Sequence, residues 1–341
     1  MKTFQCDNCC TAVFFENNLC LGCGSILGMI PGSFEMRSVT VGDNGEAIGR
    51  DGKTYRFCKN SDEYNCCNQF VEADHESPYC GSCLFTEITP NLGSGENRRL
   101  WAEMERAKRR LLFSLFQLGI FPVPKSKNPD KGLAFRFLSE GKEKVMTGHF
   151  KGAITIALAE ADKAELEARR QQLGERYRTL LGHFRHEIGH YYWDRLIADG
   201  GLTDEFRAVF GNESVPYGEA LTAHYAKPPD DLWKTDFISS YAASHPWEDW
   251  AETFAHFLHM RDVVETSRAV DLIVDGGIEC ISDFNASMKI WLSTTYRINQ
   301  IGRSIGSGDL YPFILNDRVI EKMRFVHGVV FAAGSTPKLY D

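Results

Sequence analysis

Ten of the eleven cysteines in this chain lie before residue 84, and this crowding constrains the fold more than any other feature. Two Cys-x2-Cys pairs come first, Cys6/Cys9 and Cys20/Cys23. Two short loops of this kind can each offer two thiolates to one tetrahedral ion, which is the ligand arrangement of a zinc ribbon. Because four cysteine ligands close such a site to water, we predict a structural zinc that holds a segment too small to fold by burial alone.

A second cysteine group follows with less regular spacing. It contains the pair Cys80/Cys83, the single Cys58, and one of the two neighbours Cys66 and Cys67. The pair is a clear half-site, whereas the other half is stretched over seven or eight intervening residues. We predict a second four-cysteine zinc site here, so that the segment holds one or two structural zinc ions. The spacing alone leaves the choice between Cys66 and Cys67 open.

Three further residues could be confused with ligands. Using Cys10 as a ligand would lengthen the first loop, so Cys10 is not expected to bind the metal. His75 is a possible substitute ligand in the second group, although an exposed loop histidine is the simpler expectation. Cys280 stands far from the others and is expected to be a small buried apolar residue.

Charge and hydropathy indicate where the protein resides and which partners it lacks. No stretch approaches the roughly 18 apolar residues of a membrane-spanning helix, and the first residues lack the apolar core of a signal peptide. We therefore expect a cytoplasmic protein without a membrane partner, in a compartment where reduced thiols favour metal binding over disulfides. The net charge is −8, and residues 1–90 hold six Lys/Arg against twelve Asp/Glu. Because such a segment repels phosphate, nucleic acid is not expected as a partner.

The chain divides by composition into an N-terminal Cys/Gly-rich segment and a longer mixed part. A linker punctuated by Pro and Gly over residues 90–95 separates a zinc-ribbon region, 1–90, from a domain over 97–341. In that domain, residues 152–158 have the apolar run of a buried strand. Helices are predicted over 162–170, 176–197 and 246–261, and the C-terminal part is also helical. This pattern predicts an α+β fold.

An amphipathic helix is predicted directly after the linker. It has an apolar stripe of Leu100, Met104, Leu111, Leu115 and Leu118. Its other side is basic, and we expect that side to be a solvated helix face. The basic residues are Arg98, Arg99, Arg106, Lys108, Arg109 and Arg110.

The segment His186-Glu187-Ile188-Gly189-His190 is the principal motif of the longer part. On a helix, two histidines four residues apart project from one face and can share one metal ion. Glu187 borders that face, where a carboxylate can accept a proton from a water molecule that zinc has acidified. We therefore predict a catalytic zinc held by His186 and His190. His183 lies about 10 Å along the axis from His190 and is too distant to share the ion.

The third zinc ligand must come from another part of the fold. The richest acidic helix downstream carries Glu248 and Glu252 on one face, and either could reach the ion. Three other residues, Asp194, His256 and His259, could support the site but are more simply expected on helix surfaces.

The segment from Tyr241 to Phe254 resembles the Tyr-x6-Glu-x2-Ala-Glu pattern of lethal-factor-like gluzincin peptidases. The resemblance implies that Glu248 binds the zinc. It also implies that the phenol of Tyr241 faces the oxyanion of the tetrahedral intermediate, and that Glu252 is a carboxylate behind the ligands that orients a histidine.

More broadly, residues 177–187 and the segments Tyr241-Ala242 and 245–252 resemble bacterial zinc-binding metallopeptidases that carry an N-terminal zinc ribbon. The likeness covers nearly the whole chain. It implies a zincin-like metallopeptidase domain with a helical C-terminal extension, and it favours Cys67 over Cys66 in the second cysteine group.

The leading hypothesis is hydrolysis of peptide bonds in a peptide or protein substrate, with Glu187 as general base and the ribbon recruiting a protein partner or the substrate. Two alternatives remain open at this point. The chain could be a zinc-ribbon adaptor with a structural or degenerate metal site at His186 and His190. It could also be a zinc hydrolase that acts on a non-peptide amide, since water activation is common to both reactions.

Overall fold

The protein combines small sheets, two of them antiparallel and one mixed, with a largely helical C-terminal part, which confirms the predicted α+β class. Cys280 lies outside the described residues, and so do residues 176 and 177 at the start of the helix predicted over 176–197. The computed structural model describes residues 3–139, 145–172, 178–228, 231–272 and 283–334.

The regular elements are named in chain order. The strands are β1 (Phe4–Gln5), β2 (Ala12–Val13), β3 (Ile26–Met29), β4 (Met36–Val41), β5 (Ala47–Gly49), β6 (Thr54–Phe57), β7 (Phe70–Glu72), β8 (Thr86–Ile88), β9 (Ala134–Leu138), β10 (Gly148–Phe150) and β11 (Ala153–Ala157). The α-helices are α1 (Lys59–Tyr64), α2 (Gly95–Gln117), α3 (Lys163–Gln172), α4 (Leu180–Tyr192), α5 (Thr203–Phe210), α6 (Tyr217–Ala226), α7 (Pro246–Ala269), α8 (Phe284–Ser304) and α9 (Asp317–Gly334).

The residues group into two compact units, which are described separately. One unit contains residues 2–113 and 122–168, and the other contains residues 114–121 and 169–341. The division into domains over 1–90 and 97–341 stays a prediction.

The described residues of the first unit form three sheets. β1 and β2 form a hairpin, and β3 to β7 form a five-stranded antiparallel sheet in chain order. The third sheet has the order β10-β11-β9-β8, with β9 parallel to both of its neighbours. The predicted buried strand is β11, whose apolar run suits an internal strand that is buried on both faces.

Most of helix α2 belongs to the first unit and supplies part of its core. Phe113 packs its ring edge-on against Phe4, Phe15 and Phe34, with centroids 5.4 to 6.2 Å apart. These aromatic contacts bury large apolar surfaces and hold the short β1–β2 hairpin against the helix.

The expectation of a fully solvated basic side on α2 was wrong at Lys108 and Arg109, which are buried. The ammonium of Lys108 lies 2.7 Å from Oε2 of Glu105, and neither side chain is exposed. Oε1 of Glu105 accepts a hydrogen bond from Thr86, and Arg109 donates one to Asn68. The prediction used only the residue types along one helix. It could not show that polar partners would allow these two charges to be buried.

Replacing Lys108 by methionine should lower the free energy of unfolding by roughly 3–5 kcal/mol, because it leaves the Glu105 carboxylate buried without its cation. Arg106→Met is the matched control. The guanidinium of Arg106 pairs with Glu103 at the surface, where such a pair contributes about 1 kcal/mol or less. Denaturant unfolding of both variants measures the difference, and equal losses would contradict a stabilising role for the buried pair.

The second unit is built around helices α4 and α7, which pack directly against each other. The predicted helix over 176–197 is α4 followed by a π-helical turn, Trp193–Ala198, and the predicted helix over 246–261 continues to Ala269. Trp250 on α7 is fully buried and meets the rings of Phe210 and Phe254 at 5.7 and 5.8 Å. This aromatic core fixes the side of α7 that faces α4.

Among the described helices, none combines the length and the apolar character that crossing a membrane requires.

Candidate active site

The first cysteine group comes together at two tight turns. The sulfurs of Cys6, Cys9, Cys20 and Cys23 all lie within 4.8 Å of one another. The Sγ atoms are 3.7 Å apart for Cys6 and Cys23, and 3.6 Å apart for Cys9 and Cys20. A tetrahedron with Zn–S bonds of about 2.3 Å has edges of about 3.8 Å, so the four thiols fit one zinc ion. Cys10 lies outside the group.

The second group joins Cys58, Cys67, Cys80 and Cys83, all of them buried and within the same 4.8 Å limit. The sulfurs of Cys67 and Cys80 are 3.5 Å apart. Backbone N–H groups of Gln69 and Cys80 point at the sulfurs of Cys67 and Cys58 at 3.4 Å. Such donors stabilise thiolates, which are the form that binds zinc.

Two residues considered for the second group take other positions. The thiol of Cys66 donates to the backbone carbonyl of Asn60 at 3.3 Å, and burial raises the pKa of this thiol. His75 is exposed, and its Nδ1 accepts from the backbone N–H of Ser77. Neither belongs to the cluster of sulfurs.

The two histidines of the His-Glu-x-x-His segment project from one face of α4. Thr179 caps this helix by accepting a hydrogen bond from the backbone N–H of Gly182 at 3.0 Å. The Nε2 atoms of His186 and His190, one turn apart, are 3.1 Å from each other. Both side chains are largely buried.

Helix α7 brings a carboxylate to the same point. Oε2 of Glu248 lies 3.0 Å from Nε2 of His186 and 3.4 Å from Nε2 of His190. Glu252, one turn further along α7, does not join them. Its Oε1 lies 2.7 Å from Nδ1 of His186, and its Oε2 accepts a hydrogen bond from Ser239 at 2.7 Å.

The chemistry of this set fits a cation. Because the Glu252 carboxylate holds the proton of His186 on Nδ1, Nε2 of His186 presents a lone pair. That lone pair, the Nε2 of His190 and an oxygen of Glu248 converge within 4.8 Å in a buried site. Bonds of about 2.0–2.2 Å to a tetrahedral zinc separate neighbouring ligand atoms by about 3.3 Å, close to the separations found here.

Gly189 permits this convergence because it lies at a close contact between α4 and α7. A Cβ atom at this position would lie 2.9 Å from Cα of Ala251 and 3.2 Å from its carbonyl oxygen. The carbonyl of Gly189 also accepts a hydrogen bond from the indole N–H of Trp250 at 2.8 Å. A side chain at Gly189 would therefore push apart the two helices that carry the histidines and Glu248.

Gly189→Ala should lower the free energy of unfolding by roughly 1–3 kcal/mol through overpacking, and it should weaken metal binding because Glu248 moves away from the histidines. Gly328→Ala, in the exposed middle of α9 with open space around the added methyl, is the matched control. It should be neutral or stabilising by up to about 1 kcal/mol. A Gly189→Ala variant as stable as this control would contradict the close-contact explanation.

Glu187 is buried beside the histidines. Its Oε1 lies 3.3 Å from Nε2 of His183, which is too far from His190 along the helix to share an ion. Burial favours the neutral carboxyl, yet the pKa of Glu187 is lowered, because the hydrogen bond with His183 and the charge of that residue favour the carboxylate. Glu187 is therefore held as a carboxylate able to accept a proton.

Tyr241 also reaches this site. It lies in a short 3-10 helix, Tyr241–Ser244, just before α7, and its ring centroid is 5.8 Å from that of His186. Burial, and then the negative charge of Glu248, raise the pKa of Tyr241. The phenol therefore keeps its proton and can donate a hydrogen bond.

Sequence reasoning missed three aromatic residues of the site. The hydroxyl of Tyr217 donates to Oε1 of Glu248 at 2.7 Å. The ring of Trp247 lies on that of His190, with centroids 3.9 Å apart. His245 caps α7 by accepting from the backbone N–H of Trp247. Trp247 directly precedes Glu248 and His245 lies three residues before it, a signal that could have found them, but no spacing relates Tyr217 to the motifs.

The expectation of a surface position was wrong for His256. This side chain is buried, its Nδ1 lies 2.9 Å from the hydroxyl of Tyr311, and burial lowers its pKa to about 4. His259 contacts the guanidinium of Arg185, which also pairs with Asp262. The contacts of Arg185 join α4 to α7 next to the histidine motif. No sequence spacing indicates that these residues meet.

Asp249, next to Glu248, pairs with Lys322 of α9 at 2.7 Å, and both side chains are buried. Burial raises the pKa of Asp249 to about 7 against the opposing charge of Lys322. The pair anchors the start of α7 to α9.

Within the described residues, three groups of side chains have the chemistry of metal ligands, and two of them consist of four thiols each, as in zinc-binding proteins. Residues 97–329 match the family described as "Putative zinc-binding metallo-peptidase", and residues 3–94 match a zinc-ribbon domain. The chain therefore belongs to this zinc-binding metallopeptidase family, which confirms the predicted resemblance.

Mycobacterial proteins are similar over nearly the whole chain. "Uncharacterized protein Mb2598c" of Mycobacterium bovis is 41% identical over 336 residues, which cover 97% of this chain and 95% of the relative. "Uncharacterized protein Rv2568c" of Mycobacterium tuberculosis matches with the same identity and coverage. No solved structure matches the chain.

Proposed function

We propose that the chain is a zinc-dependent peptidase of the gluzincin type, in which His186, His190 and Glu248 hold the catalytic zinc. The observation that carries the proposal is the convergence of two imidazole nitrogens and one carboxylate oxygen, with Glu187 buried beside them. Membership of a zinc-binding metallopeptidase family supports peptides or proteins as the substrate class.

In this proposal each protein group has one task. A zinc ion, when bound, lowers the pKa of water toward neutrality and polarises the scissile carbonyl. Glu187 accepts the proton of the attacking water and then gives it to the leaving amine. Tyr241 donates its phenolic hydrogen bond to the oxyanion that forms at the carbonyl. Glu252 keeps the imidazole of His186 in the orientation and protonation state that a ligand needs.

The two cysteine groups complete the proposed zinc complement. Cys6, Cys9, Cys20 and Cys23 would hold one structural ion, and Cys58, Cys67, Cys80 and Cys83 would hold a second. With the catalytic ion, this gives three zinc ions per chain. A protein partner for the ribbon and a cytoplasmic location stay predictions.

The test combines metal content with proteolysis on the same samples of full-length protein. We expect wild type to contain three zinc ions and to cleave members of a broad peptide library. His190→Ala and Glu248→Ala should each lose one zinc and all cleavage. Glu252→Ala should keep the ligands but bind the ion roughly 10–100-fold more weakly.

Two outcomes would contradict the proposal in different ways. Unchanged zinc in His190→Ala and Glu248→Ala, with no cleavage by any sample, would favour the zinc-ribbon adaptor. Loss of one zinc in these variants without any peptide cleavage by wild type would favour hydrolysis of a non-peptide amide.

A further inference from the structure

The carboxylate of Glu248 has two oxygens with different surroundings. Oε2 faces the Nε2 atoms of His186 and His190, as described above. Oε1 accepts the hydrogen bond of Tyr217 at 2.7 Å. With Oε1 engaged, the carboxylate cannot turn freely about its own axis, and only Oε2 is presented toward the histidines.

Tyr217 is the first residue of α6, a helix in which no side chain is buried. The helix is therefore not held by an apolar core of its own. The Tyr217 ring packs edge-on against His245 and Trp247, with centroids 5.3 and 5.9 Å apart. Its position is thus set by the start of α7, the helix that carries Glu248.

His245 connects the two segments through both ring nitrogens. Nδ1 accepts a hydrogen bond from the backbone N–H of Trp247, so the ring hydrogen is on Nε2. Nε2 then donates to the backbone carbonyl of Val215 at 3.0 Å. This bridge places the chain just before Tyr217 against the N-terminus of α7, which aims the phenol at Glu248.

The hydroxyl of Tyr217 also accepts a hydrogen bond from Tyr241. In this arrangement, without substrate, the order of donors is Tyr241 to Tyr217 to Glu248. The Tyr241 hydroxyl would turn its single hydrogen to the oxyanion when a substrate is bound. Because a hydroxyl can accept and donate at the same time, Tyr217 can hold the ligand carboxylate and the second phenol in one arrangement.

We infer that Tyr217 is a positioning residue that holds Glu248 as a one-oxygen zinc ligand and sets the place of the Tyr241 phenol. The inference rests on the proposed function of the site. It assigns α6 to the metal centre, although α6 lies outside both recognisable motifs. Outer hydrogen bonds of this kind orient ligands, and their loss costs roughly 10–100-fold in metal affinity.

Tyr217→Phe is the deciding variant because it keeps the ring packing on His245 and Trp247 and removes only the hydroxyl. Each protein is dialysed against increasing concentrations of a zinc chelator, and zinc per chain is measured. Tyr217→Phe should lose one equivalent at a chelator concentration roughly 10–100-fold lower than wild type. The thermal midpoint of the metal-depleted proteins should be the same.

Two controls separate positioning from general damage. Tyr225→Phe removes a hydroxyl from the exposed side of the same helix and should keep zinc as wild type does. Tyr241→Phe should keep its zinc, because the lost hydroxyl is one hydrogen bond further from Glu248 than that of Tyr217. It should lose cleavage, because the proposed donor to the oxyanion is removed. Wild-type zinc retention in Tyr217→Phe, or equal loss in Tyr225→Phe, would overturn the inference.

Failure of this inference differs from failure of the proposed function. If Tyr217 does not position Glu248, Tyr217→Phe retains zinc while wild-type cleavage still depends on Glu187. If the chain is not a peptidase, no variant cleaves peptides, but the weaker zinc retention of Tyr217→Phe is still observed.

Discussion

Replacing Glu187 by glutamine should reduce peptide cleavage by about 10²–10⁴-fold while zinc per chain stays at the wild-type value. Glutamine has the same shape but cannot accept a proton from water. The carboxylate is suited to that task because, despite burial, its pKa is lowered by the hydrogen bond with His183 and the charge of that residue. Single-turnover cleavage of a peptide identified in the library screen would measure the loss.

The matched control is Glu205→Gln on α5, an exposed glutamate in the same unit. It should cleave at the wild-type rate. Residual cleavage by Glu187→Gln near the wild-type rate would show that another group takes the proton. Loss of zinc together with activity would show that the variant had damaged the metal site instead of the proton transfer.

Replacing Cys67 by alanine should remove one zinc per chain and unfold much of the first unit. Structural zinc sites contribute about 10–16 kcal/mol to the folding of small domains at neutral pH, which is comparable to the whole stability of an ordinary protein. The sulfurs of this group form one buried cluster with Val71. Without the ion, nothing would hold these four side chains together, and the surrounding segment would open to water. Elemental analysis and amide hydrogen exchange over residues 54–85 would report the change.

Cys66→Ala tests the same prediction one residue away. The Cys66 thiol donates to the carbonyl of Asn60 and lies outside the group of four sulfurs. This variant should keep its zinc and its protected amides, with a loss of stability of only about 1 kcal/mol. A zinc loss in Cys66→Ala equal to that in Cys67→Ala would contradict the assignment of the ligands.

Local patterns in the sequence predicted those parts of the site that lie close together in the chain. Two cysteines separated by two residues can bind one ion with any suitable turn, and two histidines four residues apart share a helix face. The groups formed by Cys6, Cys9, Cys20 and Cys23 and by His186 and His190 are of this kind. Their geometry follows from the turn and the helix, without reference to the remainder of the fold.

Long-range contacts were not predictable in the same way. Spacing alone left both Glu248 and Glu252 open as the third ligand, because both lie on one face of α7. The structure brings Glu248 to the Nε2 atoms of His186 and His190 and places Glu252 at Nδ1 of His186. The difference depends on how closely α7 approaches α4 at Gly189, which is a property of helix packing.

Buried charge was the least predictable feature. Lys108 and Arg109 follow the pattern of a solvated helix face, yet each is buried with a partner from another element or turn. The pattern of one helix cannot report whether a distant Thr86 or Asn68 satisfies a charge. His256 was misjudged for the same reason, since Tyr311 meets it from a distant part of the chain.

By itself the sequence determined the α+β class, the family and the short-range halves of each ligand group, because turns and helices repeat with fixed spacing. Spacing left open the choices between Cys66 and Cys67 and between Glu248 and Glu252, which the family resemblance favoured in one direction. The tertiary structure places Cys67 with the other three sulfurs and Glu248 with the Nε2 atoms of the histidines, and it alone brings Tyr217 to Glu248. These choices depend on contacts between segments far apart in the chain. Such contacts follow from packing in three dimensions, and no local periodicity encodes them.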